Sequence, residues 1–360
     1  MKKSSTFIII LITLLLSSFS IRAEEISKPE QLYKIYGDLT EFSDELSQIT
    51  SEEILELQKM AEQGDAEAQY VLGNLYIIGI GIAQDYTKAL EWLEKAAEQG
   101  YAEAQNTLGL LYLEGFGVPQ DYVKAQNWFE KAAKQELHSA VNYLGIIYNN
   151  GQGVTRDYLK AKNFYEKAIK LGNVKALNNL GLLYSQGLGV SPDYLKAREL
   201  YEQAIEKGEM RAFNNLGLLY EKGLGVKQDY VRAREYYEKG AEQGDMVAQN
   251  NLGGLLTKGL GGKTDHQQAR MWFEKAAEQG YVDAYFNLGI LYEGGLSVTQ
   301  DYTKAKEWFE KAAEKGDAKA QYNLAIIYGN GFGLSKNMKK AREWFKKSCE
   351  SGFSEACKYK

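Results

Sequence analysis

Apolar and small residues recur along most of the chain with a fixed period of 36 residues. In the segment 173–208, Ala176, Leu180, Leu183 and Tyr184 are spaced i, i+4, i+7 and i+8, so they share one face of an α-helix. The second half of this segment carries a similar spacing of alanine and bulky side chains. Each period therefore predicts two amphipathic helices, which we call helix A and helix B.

The period returns eight times without an insertion or deletion, and we number the positions of each repeat 1 to 36. Glycine at position 15 is expected to end helix A, because glycine adopts the positive φ of a helix stop at little cost. Position 21 is expected to cap helix B, since it holds aspartate in seven repeats and Asn337 in the eighth. The predicted repeats are 65–100, 101–136, 137–172, 173–208, 209–244, 245–280, 281–316 and 317–352.

One such helix pair cannot bury both of its faces, so neighbouring pairs must stack. The sequence therefore predicts an all-α chain, an α-solenoid of eight helix–turn–helix repeats with a helical cap at each end. The N-terminal cap is assigned to 24–64, where Thr50 and Glu53 fit a capping box. The C-terminal cap is assigned to 353–360, a truncated ninth repeat.

Small residues at fixed positions predict how the two helices of a repeat meet. In the fourth repeat, we expect Gly181 of helix A to face Ala197 and Ala204 of helix B. Small residues on both sides allow two helix axes to approach closely, while large side chains fill the rims of the contact.

Residues 1–23 have the order of a secretory signal peptide. Lys2 and Lys3 precede an apolar run, and small residues then lead to Ala23, after which cleavage is expected. The run from Phe7 to Leu16 is shorter than the roughly 20 residues of a membrane-spanning helix. We therefore expect an exported chain, periplasmic or secreted, whose mature form has no membrane span.

The charge and the histidine count disfavour several classes of function. Removal of residues 1–23 deletes basic residues only and changes the formal net charge from −5 to −8, which is unsuited to nucleic acid. The only histidines, His138 and His266, lie in the third and sixth repeats, which leaves little for a metal site or a histidine-based triad. We expect no metal, no cofactor and no enzymatic activity.

The repeated pattern resembles that of the Sel-one-like repeat family, relatives of the tetratricopeptide repeats: A-x-A-Q-x-N-L-G-x-L-Y-x-x-G-x-G-V-x-x-D-Y-x-K-A-x-x-W-F-x-K-A-A-x-x-G. The resemblance covers residues 65–352 and partly 51–64. It implies a right-handed superhelix with helix A on the concave side. It also implies an adaptor that binds a protein partner, often as an exported bacterial protein, and it implies no enzymatic activity.

The cysteines add a second resemblance. Cys349 stands at position 33 of the eighth repeat, and Cys357 stands at position 5 of the truncated ninth. This offset looks like the bridge from helix B to the next helix A in the cysteine-rich Sel-one-like proteins. The resemblance implies a disulfide between the two, which an exported chain keeps. Two reduced thiols are the alternative.

Asparagines recur at positions 6 and 7 of helix A, on or beside the face opposite the packed one. An asparagine amide both donates and accepts, so a row of them can bind the backbone of an extended peptide. Tetratricopeptide relatives use the position equivalent to 7 in this way. The alternative is that these side chains only bond neighbouring helices and set the superhelical pitch. The candidates are Asn142, Asn178, Asn179, Asn214, Asn215, Asn250, Asn251, Asn287 and Asn323.

Basic and aromatic residues lie near the same stripe. Lys175, Arg211, Lys222 and Lys258 would suit an acidic group on a partner, although ordinary solvated side chains are the alternative. Tyr70, Tyr143, Phe286 and Tyr322 fall at position 6 or 7, where we expect exposed aromatic anchors.

The sixth repeat departs most from the pattern, with Leu256, Gly262, His266 and Gln268 at positions where the other repeats have different residues. A hinge, a contact site and sequence drift are all compatible with these changes.

These observations favour an exported scaffold, monomeric, that engages an envelope or host protein or an extended peptide along the concave groove. Nucleic acid is not an expected partner. The alternative, suggested by some cysteine-rich relatives, is a cell-wall-directed activity such as weak hydrolysis or binding of peptidoglycan or β-lactams.

Export makes a prediction about the mature N-terminus. When the full chain is expressed in a Gram-negative host, the protein recovered outside the cytoplasm should begin at Glu24, because a signal peptidase cuts after small residues such as Ala23. N-terminal sequencing and intact mass measure the cut. An uncut chain retained in the cytoplasm or membrane would contradict the assignment.

Overall fold

The computed structural model describes residues 50–296 and 298–359. Within these ranges the chain forms seventeen α-helices and one 3-10 helix, and it contains no β-strand. None of the described helices is long and apolar enough to cross a membrane. The all-α architecture is confirmed, while the predicted signal peptide and residues 24–49 of the N-terminal cap lie outside the described residues.

The helices alternate between helix A and helix B along the chain. After α1, which precedes the repeats, even-numbered helices are helix A of repeats one to eight, and odd-numbered helices are helix B. The bounds are α1 Ser51–Glu62, α2 Ala66–Ile78, α3 Tyr86–Glu98, α4 Ala102–Glu114, α5 Tyr122–Lys134, α6 His138–Asn150, α7 Tyr158–Lys170, α8 Lys175–Gln186, α9 Tyr194–Glu206, α10 Arg211–Lys222, α11 Tyr230–Glu242, α12 Met246–Lys258, α13 His266–Glu278, α14 Val282–Gly294, α15 Tyr302–Glu314, α16 Ala318–Asn330 and α17 Met338–Glu350. The 3-10 helix is Ser354–Tyr359.

The predicted helix stops and starts are confirmed. Glycine at position 15 follows every helix A with a φ between +65° and +81°. Aspartate at position 21 accepts backbone N–H groups of helix B, as Asp85 does from Thr87 and Lys88. Glu136 replaces the glycine that ends the other repeats and still adopts a φ of +60°, which glycine would adopt with less strain.

The contact between helices A and B differs from the expectation. In the first seven repeats, the glycine at position 9 of helix A receives the large side chain at position 29 of helix B. A Cβ on Gly181 would lie 2.5 Å from Cε1 of Tyr201, and one on Gly109 would lie 2.6 Å from Cε1 of Phe129. The atoms nearest to Gly181 thus belong to the Tyr201 ring, which fills the space that the glycine leaves, and not to the predicted Ala197 and Ala204.

The tryptophans at position 28 lie beside this buried ring and are only half-buried. A lysine at position 31 covers each of them, with Nζ between 3.8 and 4.4 Å from a ring centroid. Such cation–π contacts stabilise a half-exposed ring modestly. The core of each repeat therefore depends on position 29 rather than on position 28.

The described residues divide into two compact bodies. The N-terminal body contains 50–176 and 188–190, and the C-terminal body contains 177–187 and 191–359. Within each body, consecutive helices pack on one another in chain order, as in an α-solenoid. The hand of the superhelix stays a prediction.

Glutamine side chains join successive repeats inside both bodies. In the N-terminal body, Gln105 Nε2 donates to the carbonyl of Ala97 in the preceding repeat at 3.0 Å, and Gln135 Nε2 donates to Gln105 Oε1 at 3.0 Å. Gln249 and Gln279 make the equivalent bonds in the C-terminal body. The buried amides of Gln105 and Gln249 satisfy carbonyls at the end of the preceding helix B, so they fix the register between successive repeats.

The ends of the described chain have the predicted caps. Helix α1 packs on α2, and Thr50 and Glu53 form the expected capping box. At the other end, the Cys349–Cys357 disulfide is present, and it holds the 3-10 helix against α17. Phe353 packs with the buried cluster of the eighth repeat.

Two adjacent glycines of α12 provide a matched test of the position-9 contact. A Cβ on Gly253 would lie 2.6 Å from Cε1 of Phe273, whereas a Cβ on Gly254 would meet no atom within 4 Å. We expect Gly253→Ala to lower the free energy of unfolding by about 1–3 kcal/mol through overpacking. Gly254→Ala should raise it by up to about 1 kcal/mol, because alanine favours the helix.

Urea unfolding of the full chain measures both variants. Equal effects at the two positions would contradict the proposed role of the ring at position 29.

Candidate binding face

The predicted asparagines of the C-terminal body pair with one another between repeats. The asparagine at position 7 of one repeat donates its Nδ2 to the Oδ1 of the asparagine at position 6 of the preceding repeat. The three bonds are Asn215 to Asn178 at 2.7 Å, Asn251 to Asn214 at 2.9 Å and Asn287 to Asn250 at 2.8 Å. We call this row the asparagine ladder.

The ladder joins helix A of one repeat to helix A of the next, as expected if these asparagines have a packing role. Asn178 and Asn250 are buried, and the other members, Asn214, Asn215, Asn251 and Asn287, are half-buried. In each bond the donor asparagine uses its Nδ2, while its own Oδ1 takes no part. Among the described residues, no group donates to Oδ1 of Asn215, Asn251 or Asn287. These oxygens keep a capacity to accept a hydrogen bond from another molecule.

The ladder ends where one of the two asparagines is replaced. Asn323 follows a repeat whose position 6 is Phe286, and its side chain has no hydrogen-bond partner among the described residues. In the N-terminal body, Asn106 precedes a repeat whose position 7 is Tyr143, and Asn106 Oδ1 is buried without a partner. The phenol ring of Tyr143 carries no amide to supply the missing bond.

The other predicted residues occupy varied environments. Asn142 is buried and Asn179 is half-buried, while Lys175 is exposed at the start of α8. The Arg211 side chain is 61% exposed, with Nε 3.9 Å from Oε1 of Glu209. Exposed ion pairs of this kind contribute little, so the guanidinium remains accessible.

The predicted aromatic anchors are less open than expected. Tyr70 is buried at 7% exposure, so the expectation that it is exposed is wrong. Tyr143 is half-buried, and its ring stacks on Phe129 with centroids 5.1 Å apart. Both rings pack mainly inside their own body.

A cleft of about 370 Å³ opens on the same face of the C-terminal body. It lies between helix A of the fifth, sixth and seventh repeats, next to the asparagine ladder. Position 10 of the sixth repeat is Gly254, and no neighbouring side chain occupies the space above it. We call it the Gly254 cleft. Its lining is Glu221, Asn250, Asn251, Gly254, Leu255, Thr257, Lys258, Phe273, Phe286, Asn287, Ile290 and Leu291.

Two charged side chains border the cleft and differ in their bonding. Oε2 of Glu221 accepts a 2.7 Å hydrogen bond from the Tyr237 hydroxyl, and Oε1 accepts one from Lys222 Nζ at 3.0 Å. Burial and the adjacent carboxylate raise the pKa of Tyr237, so its hydroxyl stays protonated and donates. Lys258 is exposed and forms no ion pair within the described residues. The cleft therefore has a carboxylate paired with Lys222 and Tyr237 on one side and an accessible cation on the other.

The repeats match the family described as Sel1 repeat over eight segments: 66–101, 102–137, 138–173, 174–209, 212–245, 247–281, 282–317 and 318–353. This chain belongs to the Sel1 repeat family. Sel1 repeat proteins are generally protein-interaction scaffolds and typically lack enzymatic activity.

Two solved Sel1-type structures are similar over most of this chain. A protective antigen of uropathogenic Escherichia coli strains, described as displaying an SLR fold, is 39% identical with a TM-score of 0.62. The match covers 84% of this chain, and the chain spans 65% of that protein. A Sel1 repeat protein from Oxalobacter formigenes is 32% identical with a TM-score of 0.58, covering 85% of this chain and 88% of its own. No curated protein matches the sequence.

The Gly254 cleft is the feature of this Sel1 repeat chain that the sequence analysis missed. The departures that the sequence pattern singles out in the sixth repeat, Leu256, Gly262, His266 and Gln268, do not include position 10. A comparison of that position alone shows the exception, because the seven other repeats have Asn74, Leu110, Ile146, Leu182, Leu218, Ile290 and Ile326 there.

The ladder of this Sel1 repeat chain has a direct test. Asn215→Ala should lower the free energy of unfolding by about 1 kcal/mol, because it leaves the Asn178 oxygen without its donor. Asn323→Ala is the matched control at position 7 of the eighth repeat, and it should change the free energy of unfolding little.

A double-mutant cycle of Asn178→Ala and Asn215→Ala in urea unfolding isolates the pair. Strictly additive effects would mean that the two amides are not coupled.

Proposed function

We propose that this chain is an exported protein-binding scaffold that holds an extended segment of a protein partner along the helix A face of its C-terminal body. The asparagine ladder is the observation that carries the proposal. It presents partly used amides at the same position of successive repeats, and within the described residues their Oδ1 atoms lack a donor. An extended peptide has unpaired backbone N–H groups that such acceptors can bind.

The charges beside the ladder suggest the chemistry of the partner. Positions 3 and 14 lie at the two ends of helix A, and in the C-terminal body they include Arg211, Lys222, Lys258 and Lys319. Lys222 is paired with Glu221, and position 3 of the seventh repeat is Asp283, so Arg211, Lys258 and Lys319 are the cations that a partner can reach. Acidic residues on the partner would be attracted to this face and would help to orient the bound segment.

Two features support export. Residues 1–23 have the order of a signal peptide, and the Cys349–Cys357 disulfide is of the kind that persists in oxidising compartments. The partner is then a protein of the cell envelope or of the exterior. A periplasmic and a secreted location are both compatible with these features.

The test is selection from a displayed library of random twelve-residue peptides, with the mature chain as bait. We expect enriched peptides that bind in an extended form and contain acidic residues. Replacing Asn215, Asn251 and Asn287 together by alanine should weaken their binding at least about tenfold, since each lost hydrogen bond contributes about 0.5–1.5 kcal/mol.

Gln203→Ala with Gln267→Ala is the control, because both side chains are exposed on helix B. Circular dichroism confirms that each variant is folded. Failure to enrich any peptide, or equal affinity of the ladder variant and the wild type, would overturn the proposal.

A further inference from the structure

Two neighbouring glycines in α12 differ in whether the packing of the protein requires a glycine. Gly253 is required by the protein itself, because any Cβ there would overlap the Phe273 ring. Gly254 has open space, and an added Cβ would meet no atom within 4 Å. A glycine in mid-helix destabilises the helix by about 1 kcal/mol relative to alanine. No contact within the described residues compensates for that loss.

The missing side chain opens an apolar floor within the helix A face. Leu255, Leu291, Phe273, Phe286 and Ile290 line the cleft, and a large residue at position 10 would cover part of this surface. Leu218, at the same position of the preceding repeat, is 38% exposed and shows the space that such a side chain takes. The volume of about 370 Å³ lies within the range of about 300–1,000 Å³ typical of ligand pockets.

Polar groups at the rim restrict how an occupant can bind. Asn251 and Asn287 line the cleft and also belong to the ladder, so a chain bound along the ladder passes over it. Lys258 lines the cleft from the end of α12 and has no ion pair among the described residues. A side chain that enters the cleft is thus close to backbone-binding amides and to one accessible cation.

We propose that the Gly254 cleft is an anchor pocket for one large apolar side chain, leucine or an aromatic residue, of the bound partner segment. An acidic residue next to that anchor contacts Lys258. This inference rests on the proposed function, since the anchor belongs to a peptide that follows the ladder. Because only one side chain of the partner segment enters the cleft, the position of Gly254 determines how that segment is aligned along the ladder.

The first experiment uses single-residue probes that mimic an anchor within a chain. N-acetyl-tryptophanamide and N-acetyl-leucinamide should bind the mature protein saturably in ligand-observed NMR, whereas N-acetyl-alaninamide should not. Gly254→Leu should abolish this binding because its side chain fills the cleft. Gly254→Ala should weaken binding to an intermediate degree, and Ile146→Leu, at position 10 in the N-terminal body, should leave it unchanged.

The second experiment uses the peptides enriched by the wild-type chain. Replacement of their common apolar residue by alanine should weaken binding at least about tenfold, as should Gly254→Leu in the protein. Lys258→Gln should weaken only peptides with an acidic residue beside the anchor, and added salt should reduce the difference.

The failures of the two proposals can be distinguished. If Gly254→Leu binds the enriched peptides as well as the wild type does, while the ladder variant loses them, the anchor pocket is refuted and the scaffold function stands. If no peptide is enriched, both proposals fall, and a cleft that still binds N-acetyl-tryptophanamide is a small-molecule pocket instead. Loss of the peptides on Gly254→Leu, with increased stability of that variant, supports the anchor.

Discussion

The contact between the glycine at position 9 and the large side chain at position 29 controls the distance between the two helices in the first seven repeats. Gly109, Gly181 and Gly217 each lie so close to a ring that an added Cβ would be less than 3 Å from it. Protein interiors are packed like crystals, so the missing methyl group leaves the space that the large side chain fills. The same contact recurs in these seven repeats, so helix pairs with the same sequence pattern have the same packing. The ladder and the Gly254 cleft both lie on helices that are held by this contact.

The ladder shows how stability and recognition can share the same atoms. Asn178 and Asn215 join neighbouring helices, and the unused oxygen of Asn215 is held in place by that bond. A side chain already fixed in one rotamer loses less entropy on binding a ligand. The packing and the binding explanations of these asparagines are thus compatible, although only the packing contact is observed.

Features that depend on neighbouring residues could be predicted from the sequence, whereas contacts between residues far apart in the chain could not. The cap at Asp85 and the left-handed Gly79 are local, so their residue types were sufficient. The closeness of the Tyr201 ring to Gly181 could not be predicted, because the period shows which positions are small but not which residue of the other helix lies nearest to them. The asparagine bonds join residues 37 apart, one more than the period, and a comparison of repeats in register does not reveal that offset. The Gly254 cleft arises because one repeat lacks a side chain at one position, and a search for recurring residues does not detect a missing one.

The C-terminal cap has a consequence for assembly. In an array of like repeats, helix B of each repeat presents a surface complementary to the helix A that follows, and the last such surface invites another molecule to add on. Here Phe353 and Ala356 occupy that surface on the eighth repeat, and the Cys349–Cys357 bond holds them there. A covalent tie thus holds residues of the chain itself over a surface that could otherwise receive another molecule.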